Sequence, residues 1–337
     1  MIIFLRQNLS LNKVKEFRRF LADHHVEIIP VFRENQTLLV VAGRFSQHIK
    51  KEAEEHPCVE KILDTNKPYK LASKSFHETS TKIKLSNGTI IGNKQIIFMA
   101  GPCSVETKKQ ISNIAKEVKS AGCQVLRGGA FKPRTGPYDF QGLGKIALHF
   151  LKEAALENNL GIITEILDVR EVELVEKYTD IFQVGTRNMQ NYPLLKELGK
   201  SKKPVLLKRG MWATYKELLL AAEYILLGGN EKVILCERGI RTHVAETRFT
   251  LDLNAVAYLK HETHLPVIVD PSHGTGKANM VRTMSKAAIA AGADGLLIET
   301  HLDPRMSISD ADQAISTVEL KKLVTEVKRV AEAVDRK

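Results

Sequence analysis

The amino-acid sequence predicts an α/β protein, a (β/α)8 or TIM barrel preceded by a small βαββαβ domain of the ferredoxin-like type. From residue 96 onward, eight apolar runs of strand length alternate with amphipathic helical stretches. The first 65 residues show four strand patterns and two helix patterns in the order βαββαβ. The length of 337 residues accommodates both units.

Hydrophobic patterns predict the elements of residues 1–65. Ser10 can cap a helix that runs to about Asp23, with Val14 and Phe17 on its apolar face. A second helix is predicted over Phe45–His56. Runs of β-branched and apolar residues predict the four strands, Met1–Gln7, Val26–Phe32, Thr37–Ala42 and Val59–Leu63. Because the segment carries no obvious catalytic cluster, we expect it to act in regulation or assembly.

A flexible polar linker is predicted over residues 66–82, which contain Pro68 and are rich in Ser, Thr and Lys. A short hairpin follows, because Asn87-Gly88 separates the runs Lys82–Leu85 and Thr89–Ile91. We expect this hairpin to cover the N-terminal mouth of the barrel. Residues 83–337 are therefore assigned to the barrel domain.

Eight strands are predicted in the barrel, with amphipathic segments such as Lys108–Ser120, Leu143–Asn158 and Tyr215–Leu227 between them. The strands are Ile96–Ala100, Gln124–Arg127, Gly161–Glu165, Ile181–Val184, Val205–Lys208, Val233–Glu237, Val267–Asp270 and Gly295–Glu299. An open doubly wound sheet is the alternative, but it usually has a Gly-rich phosphate loop after its first strand. No GxGxxG or GxxxxGK[ST] follows any of these strands. The barrel is the better prediction.

Composition and charge exclude several classes of protein. No apolar run is long enough to cross a bilayer, and Arg6 ends the apolar start too soon for a signal peptide. The four cysteines form no CxxC pair, so a reducing cytoplasm is the expected location. The net charge of +11 is spread along the chain, whereas nucleic-acid binding favours one basic stripe. Anionic small substrates fit this charge better.

Active-site residues of such a barrel come from the C-terminal ends of its strands and the loops beyond. Every predicted strand delivers a charged or ligand-capable residue there. One group, Cys103, His273, Glu299 and Asp310, offers a thiolate, an imidazole and carboxylates. This mixed set suits a divalent transition metal such as Mn, Fe, Co or Zn better than Mg or Ca. Each residue taken singly also has a purely structural interpretation, and only their shared placement favours the metal.

A second group at the same rim is cationic. Its members are Arg127, Lys132, Arg134, Arg187, Lys208 and Arg238. Inward-facing cations repel one another unless an anion is bound, so the group predicts a doubly anionic substrate, with two phosphates in all. Salt bridges to Glu165, Glu237 and Asp270 are the structural alternative for one or two of them.

Five motifs now stand in order along the chain. They are Gly101–Glu106 (GPCSVE), Lys132–Thr135 (KPRT), Pro204–Gly210 (PVLLKRG), Ile234–Thr242 (ILCERGIRT) and Asp270–His273 (DPSH). Together they resemble the 3-deoxy-D-arabino-heptulosonate 7-phosphate (DAHP) synthase family, which opens the shikimate pathway. The similarity is greatest to the microbial subgroup with an N-terminal ferredoxin-like domain. It covers essentially the whole chain.

The resemblance implies a role for each candidate residue. Cys103, His273, Glu299 and Asp310 would hold the metal; Arg127, Lys132, Arg187, Lys208 and Arg238 would bind phosphoenolpyruvate; Pro133, Arg134 and Thr135 would bind erythrose 4-phosphate. C3 of phosphoenolpyruvate would attack the metal-polarised aldehyde, water would add at C2, and phosphate would leave. Lys132, for which we expect a depressed ammonium pKa, is the candidate proton donor, with Cys103 and His273 the other catalytic candidates.

Two other functions stay open at this point. The sister enzyme, 3-deoxy-D-manno-octulosonate 8-phosphate synthase, uses arabinose 5-phosphate but typically has Lys-Ala-Asn-Arg where this chain has Lys132–Thr135. A barrel without activity could serve as a binding or allosteric subunit, but no proposed ligand is missing. Gly136, His243 and Leu302 depart from residues common in the family, and none of them removes a ligand.

The resemblance also bears on residues 1–65. In the similar subgroup, such domains pair across subunits and bind tyrosine or phenylalanine, and the enzymes are homotetramers. We therefore expect feedback regulation of this protein by an aromatic amino acid and a homo-oligomeric state. An oligomerisation domain without an effector is the alternative.

Overall fold

The N-terminal part of the chain folds as predicted in a computed structural model that describes residues 1–33, 36–43, 45–134 and 136–337. Its strands are β1 (Ile2–Leu5), β2 (Glu27–Phe32), β3 (Thr37–Ala42) and β4 (Val59–Leu63). They form an antiparallel sheet in the order β2-β3-β1-β4. Helix α1 (Leu11–Asp23) follows β1 and α2 (Gln47–Glu55) follows β3. This arrangement is the ferredoxin-like one.

Side-chain caps start both helices. The hydroxyl of Ser10 accepts a hydrogen bond from the Lys13 N–H, and Ser46 accepts one from Ile49 in the same way. The second helix therefore begins two residues later than its prediction from Phe45. The helices pack on one face of the sheet around a core that includes Phe17, which is fully buried.

The segment predicted as a flexible linker is instead packed against the barrel between Tyr69 and Ser73, which are buried. The Ala72 N–H donates to Oε1 of the buried Glu223 at 2.6 Å. The Tyr69 hydroxyl donates to Glu262 at 2.7 Å, and the backbone oxygen of Leu71 lies 2.7 Å from the His264 ring. Composition alone missed this because the anchoring partners lie about 150 to 190 residues further along the chain.

A short hairpin, β5 (Ile83–Lys84) and β6 (Ile90–Ile91), precedes the barrel and pairs antiparallel around Asn87-Gly88. Its buried side chains Ile83, Leu85 and Ile91 join the apolar cluster inside the barrel. The hairpin thus closes the N-terminal mouth, as predicted.

Eight parallel strands form the barrel. They are β7 (Ile97–Gly101), β8 (Val125–Arg127), β9 (Gly161–Ile166), β10 (Ile181–Val184), β11 (Val205–Lys208), β12 (Val233–Glu237), β13 (Val267–Val269) and β14 (Gly295–His301). Neighbours in the sequence pair with each other, and β14 pairs with both β13 and β7, which closes the cylinder. The predicted (β/α)8 barrel is confirmed, with each observed strand within two residues of its predicted bounds.

The helices form the outer layer. They are α3 (Lys108–Ser120), α4 (Lys145–Glu157), α5 (Val172–Glu176), α6 (Tyr192–Leu198), α7 (Tyr215–Leu227), α8 (Leu253–Glu262), α9 (Pro271–Thr275), α10 (Ala278–Ala290) and α11 (Thr317–Ala333), with a last short strand, β15 (Ile315–Ser316), before α11. Capping boxes, Thr214 with Glu217 and Ser316 with Glu319, start α7 and α11. Among the described residues, no helix combines the length and apolarity that a bilayer crossing requires.

Candidate active site

The alternation of side chains along the barrel strands explains why charge gathers at one end. Inward-facing positions near the base, such as Val125, Ile268 and Leu297, belong to the apolar interior cluster. Successive inward positions are two residues apart. The next inward positions on these three strands are Arg127, Asp270 and Glu299, so the same face of each strand turns from apolar to charged toward its C-terminal end.

A cavity of about 250 Å³ lies at this end of the barrel. Of its described lining residues, seven are lysines or arginines and three are carboxylic acids. The cations are Arg127, Lys132, Arg134, Arg187, Lys208, Arg238 and Arg248. Four of them, Arg127, Lys132, Lys208 and Arg238, are only 4% to 7% exposed. Such a cavity favours a ligand with several negative charges.

Three of the four predicted metal ligands converge at one side of the cavity. Ligand atoms of Cys103, Glu299 and Asp310 all lie within 4.8 Å of one another. The Cys103 thiol donates to Oδ2 of Asp310 at 3.0 Å. Loop residues 102–106 bring Cys103 here, because Gly101 lets β7 pass against the carbonyl of Arg127; a Cβ at Gly101 would lie 2.0 Å from that oxygen.

The fourth predicted ligand, His273, faces the same group from α9. Its Nε2 lies 3.4 Å from Oε1 of Glu299, and its Nδ1 lies 2.7 Å from Oδ2 of Asp270. Burial would raise the pKa of Asp270, but its contacts with His273 and Lys208 outweigh burial and hold that pKa well below its usual value. Since the ionised carboxylate can only accept, Nδ1 carries the proton and Nε2 is left as the nitrogen that can ligate a metal.

Burial and neighbouring charges set the protonation of the cluster. Burial, with Glu299 nearby, raises the pKa of the Cys103 thiol to about 12. Burial alone would raise the pKa of both acids, but His273 and Arg127 lower that of Glu299, and Cys103 and His273 lower that of Asp310 to about 2. Two ionised carboxylates, an imidazole nitrogen and a sulfur that deprotonates on metal binding fit a divalent transition metal.

Two of the predicted substrate-binding cations are paired with acids of the site. Arg127 donates to Glu299 at 2.7 Å and to the carbonyl of Pro102 at 2.8 Å. Lys208 donates to Asp270 at 2.6 Å, one of the salt bridges considered from the sequence. Arg127 nevertheless keeps a buried Nε without a hydrogen-bond partner among the described residues. A buried donor of this kind is normally satisfied, so it is available to a ligand oxygen.

Arg238 differs from these two cations. No carboxylate in the described part of the chain lies within ion-pairing distance, and its guanidinium carbon stands 4.1 Å from the centre of the Phe249 ring. Burial lowers the pKa of Arg238. Its guanidinium therefore stacks on an aromatic ring and donates to the Gly239 carbonyl at 3.3 Å, while the charges of Asp270 and Glu237 act on it from beyond salt-bridge distance. Arg187 lies in a short 3₁₀ turn, Thr186–Asn188, and also lines the cavity.

The expected depression of the Lys132 ammonium pKa is wrong. Its Nζ lies 2.9 Å from the sulfur and 3.2 Å from the carbonyl of Cys103. Burial lowers the pKa of Lys132, but Cys103 and Glu299 more than offset burial and raise it. The prediction counted only the cations of the pocket, whereas Lys132 lies against Cys103, one of the predicted metal ligands. Lys132 is thus a protonated group that can donate at neutral pH.

The predicted sugar-phosphate segment lies in the loop after β8. Pro133 and Arg134 line the cavity, and Nε of Arg134 donates to the Phe140 carbonyl at 3.1 Å. Thr135, the third predicted residue, lies outside the described residues. The binding roles of this segment stay predictions.

Sequence reasoning named Glu165 only as a possible salt-bridge partner and assigned no role to Gln313, Arg248 or Phe249, although all four lie at the site. Gln313 donates to Glu299 at 2.6 Å, and Arg248 contacts Asp310 at 3.4 Å. Glu165 lines the cavity beside Gly185, where a Cβ would lie only 1.9 Å from its carboxylate. Strand-end position was a signal for Glu165. The other three lie on loops, where position along a strand gives no signal.

Comparison with known proteins now decides the family. The family model described as the DAHP synthetase I family matches residues 80–336. The chain belongs to the DAHP synthetase I family. This match covers the whole barrel together with its hairpin, and thus every residue of the candidate site.

Individual relatives agree with this assignment. Phospho-2-dehydro-3-deoxyheptonate aldolase of Thermotoga maritima is 41% identical over 333 residues, 99% of this chain and 98% of that protein. The crystal structure of the DAHP synthase of Thermotoga maritima covers the whole chain and 98% of its own with a TM-score of 0.80 at 40% identity. A 2-dehydro-3-deoxyphosphooctonate aldolase of Syntrophotalea carbinolica is 28% identical and spans 73% of this chain and 94% of its own. This member of the DAHP synthetase I family is therefore more similar in sequence to the heptonate enzyme, at 41% identity, than to this octonate enzyme, at 28%.

Proposed function

We propose that this protein condenses phosphoenolpyruvate with D-erythrose 4-phosphate to give DAHP and inorganic phosphate. The reaction is the first step of the shikimate pathway toward aromatic amino acids. The observation that carries the proposal is the adjacency of a Cys103–Glu299–Asp310 donor cluster and a cavity lined by seven cations in a chain of the DAHP synthetase I family. The enzyme is thus a transferase that forms a carbon–carbon bond.

Phosphoenolpyruvate carries a carboxylate and a phosphate, and the buried cations match these charges. Arg127, Lys208 and Arg238 offer guanidinium and ammonium donors from three different strand ends. Lys132 and Arg187 complete the proposed set. The pairing of Arg127 with Glu299 and of Lys208 with Asp270 holds these cations in place before substrate binds.

Pro133, Arg134 and Thr135 are the proposed contacts of erythrose 4-phosphate. C3 of phosphoenolpyruvate would bond to the aldehyde carbon, water would add at C2, and phosphate would leave by C–O cleavage. The protonated ammonium of Lys132 would donate to the alkoxide that forms, a role supported by the 2.9 Å between its Nζ and the sulfur of Cys103. A divalent metal held by Cys103, His273, Glu299 and Asp310 would supply Lewis-acid polarisation of the aldehyde.

Phosphate release from phosphoenolpyruvate by metal-stripped protein tests the function. Erythrose 4-phosphate and arabinose 5-phosphate are offered separately, each with and without Mn2+. We expect turnover that depends on metal and on the four-carbon sugar. Turnover with arabinose 5-phosphate but not with erythrose 4-phosphate would instead assign the octonate reaction. The 28% identical relative, a 2-dehydro-3-deoxyphosphooctonate aldolase, makes this the second candidate. Absence of turnover with either sugar would favour a binding or allosteric subunit.

The proposal for residues 1–65 is feedback control by tyrosine or phenylalanine in a homotetramer. It is supported by a complete ferredoxin-like domain without catalytic residues, set before a complete barrel. A variant that begins at Asn66, which keeps the segment from Tyr69 to Ser73 buried against the barrel, should keep turnover and lose inhibition by both amino acids. If the truncated variant is inhibited as strongly as the full chain, the proposal is contradicted. If neither form is inhibited and truncation changes the assembly state, the domain serves oligomerisation instead.

A further inference from the structure

Gln313 lies directly behind one of the proposed metal ligands. It is 2% exposed, and its Nε2 donates to Oε2 of Glu299 at 2.6 Å. Its Oε1 accepts from Nη1 of Arg248 at 3.3 Å. Because a guanidinium can only donate, this contact fixes the amide in the orientation that turns its NH2 group toward Glu299.

Arg248 also reaches the second carboxylate. The same Nη1 lies 3.4 Å from Oδ1 of Asp310. Asp310 has a φ of +52°, a left-handed conformation that Asp adopts more readily than most residues with a side chain. The Gln313 N–H donates to the Asp310 carbonyl at 3.3 Å across this turn. Arg248 therefore connects the loop after β12 to the loop after β14, beside the carboxylates of Glu299 and Asp310.

We propose that Gln313, held in orientation by Arg248, is a positioning residue that orients Glu299 and Asp310 for a divalent transition metal. The inference rests on the proposed function, in which these acids bind the metal. Both oxygens of Glu299 are engaged, Oε1 by Arg127 at 2.7 Å and Oε2 by Gln313, so the carboxylate plane is fixed. A neutral amide fixes it without adding a positive charge that would repel the ion.

The test measures metal binding rather than turnover alone. Full-length protein is stripped of metal, and Co2+ affinity is measured by chelator competition together with the thiolate-to-cobalt absorption band. The variant Gln313→Met keeps the volume and removes the donor. We expect its Co2+ affinity to fall roughly 10-fold or more and its absorption band to shift, as for other groups that orient metal ligands.

Arg248 gives a second variant that does not depend on changing a buried residue, since its side chain is 50% exposed. Arg248→Ala should weaken Co2+ binding about twofold to fivefold, and Arg248→Lys should restore part of the loss. Arg305→Ala is the matched control. Arg305 pairs with Asp303 on the same loop as Asp310 and is 89% exposed, so Co2+ affinity should stay unchanged.

Each outcome separates the inference from the proposed function. If the unsubstituted protein shows no thiolate-to-cobalt band, the proposed metal site is overturned and the inference with it. If that band is present and neither Gln313→Met nor Arg248→Ala changes affinity or spectrum, the inference alone is overturned. Altered thermal stability with unchanged Co2+ binding would show a merely structural role and would also overturn it.

Discussion

The two ends of the barrel are built from the same eight strands and both contain buried side chains, but those side chains are apolar at one end and charged at the other. At the N-terminal end, Ile83 and Ile91 of the hairpin pack on apolar strand residues. At the C-terminal end, Arg127, Lys208 and Glu299 are also buried, with only 1% to 4% of their surface exposed. Burying charge costs free energy that burying apolar surface does not. The difference teaches that the base stabilises the fold, whereas the mouth is organised for ligands.

Removal of a proposed metal ligand should give the largest effect and should leave the base intact. Cys103→Ala is expected to reduce turnover by about 10³-fold or more, because metal polarisation contributes several kcal/mol to such a reaction. Turnover and bound metal are measured together. Cys123→Ala is the control, since Cys123 is buried in the helix–sheet core away from the cavity. Equal losses in both variants would contradict the assignment of the mouth.

Truncation of the hairpin tests the other end. Ile91 is fully buried, so Ile91→Ala should lower the free energy of unfolding by about 2–4 kcal/mol. KM for phosphoenolpyruvate should not change in the folded protein. Ile146→Ala, at a position 58% exposed on α4, should cost less than about 0.5 kcal/mol. A large change in KM with little change in unfolding would break the distinction between the ends.

A buried acid away from the mouth sharpens the comparison. Burial raises the pKa of Glu223 to about 7, although the N–H of Ala72 opposes the shift. Because the folded state holds this proton more tightly, stability from this group is lost as pH rises from about 4.5 to 7. Between pH 5 and 8, the free energy of unfolding of the unsubstituted protein should fall by about 1–3 kcal/mol more than that of the Glu223→Gln variant. Denaturant unfolding at each pH measures this difference. Parallel pH profiles of the two proteins would refute this.

The smallest expected effect is at Phe249. Phe249→Leu removes the ring that stacks on Arg238 but keeps an apolar side chain. Loss of the cation–π contact, worth about 1 kcal/mol, should raise KM for phosphoenolpyruvate roughly fivefold. The turnover number should change little if Arg238 acts in binding. A fall in turnover number at constant KM would show a different role for this pair.

Much of the fold could be predicted because its signals are local. The strand Ile181–Val184 and the helix Tyr215–Leu227 have the bounds expected from apolar periodicity alone. The convergence of Cys103 and Glu299 followed from the rule that barrel strands end at one rim, whereas Asp310, on the loop beyond β14, was a ligand implied by the family resemblance.

The errors arose where distant contacts decide the outcome. The packing of residues 69–73 against the barrel depends on Glu223 and Glu262, and the raised pKa of Lys132 depends on its proximity to Cys103. Gln313 and Arg248 were missed because loop residues carry no periodicity, although their side chains touch the proposed ligands.

Closure of the barrel has a consequence for the order of folding. β7 and β14 pair although nearly 200 residues separate them; Cys103 follows β7, and Glu299 lies in β14. A growing chain that has not yet reached Glu299 therefore lacks both the closing strand and half of the proposed ligands. A metal bound by Cys103 and Glu299 would act as a cross-link between β7 and β14, the first and last strands of the barrel. Metal binding would stabilise only the completed barrel and would slow its unfolding.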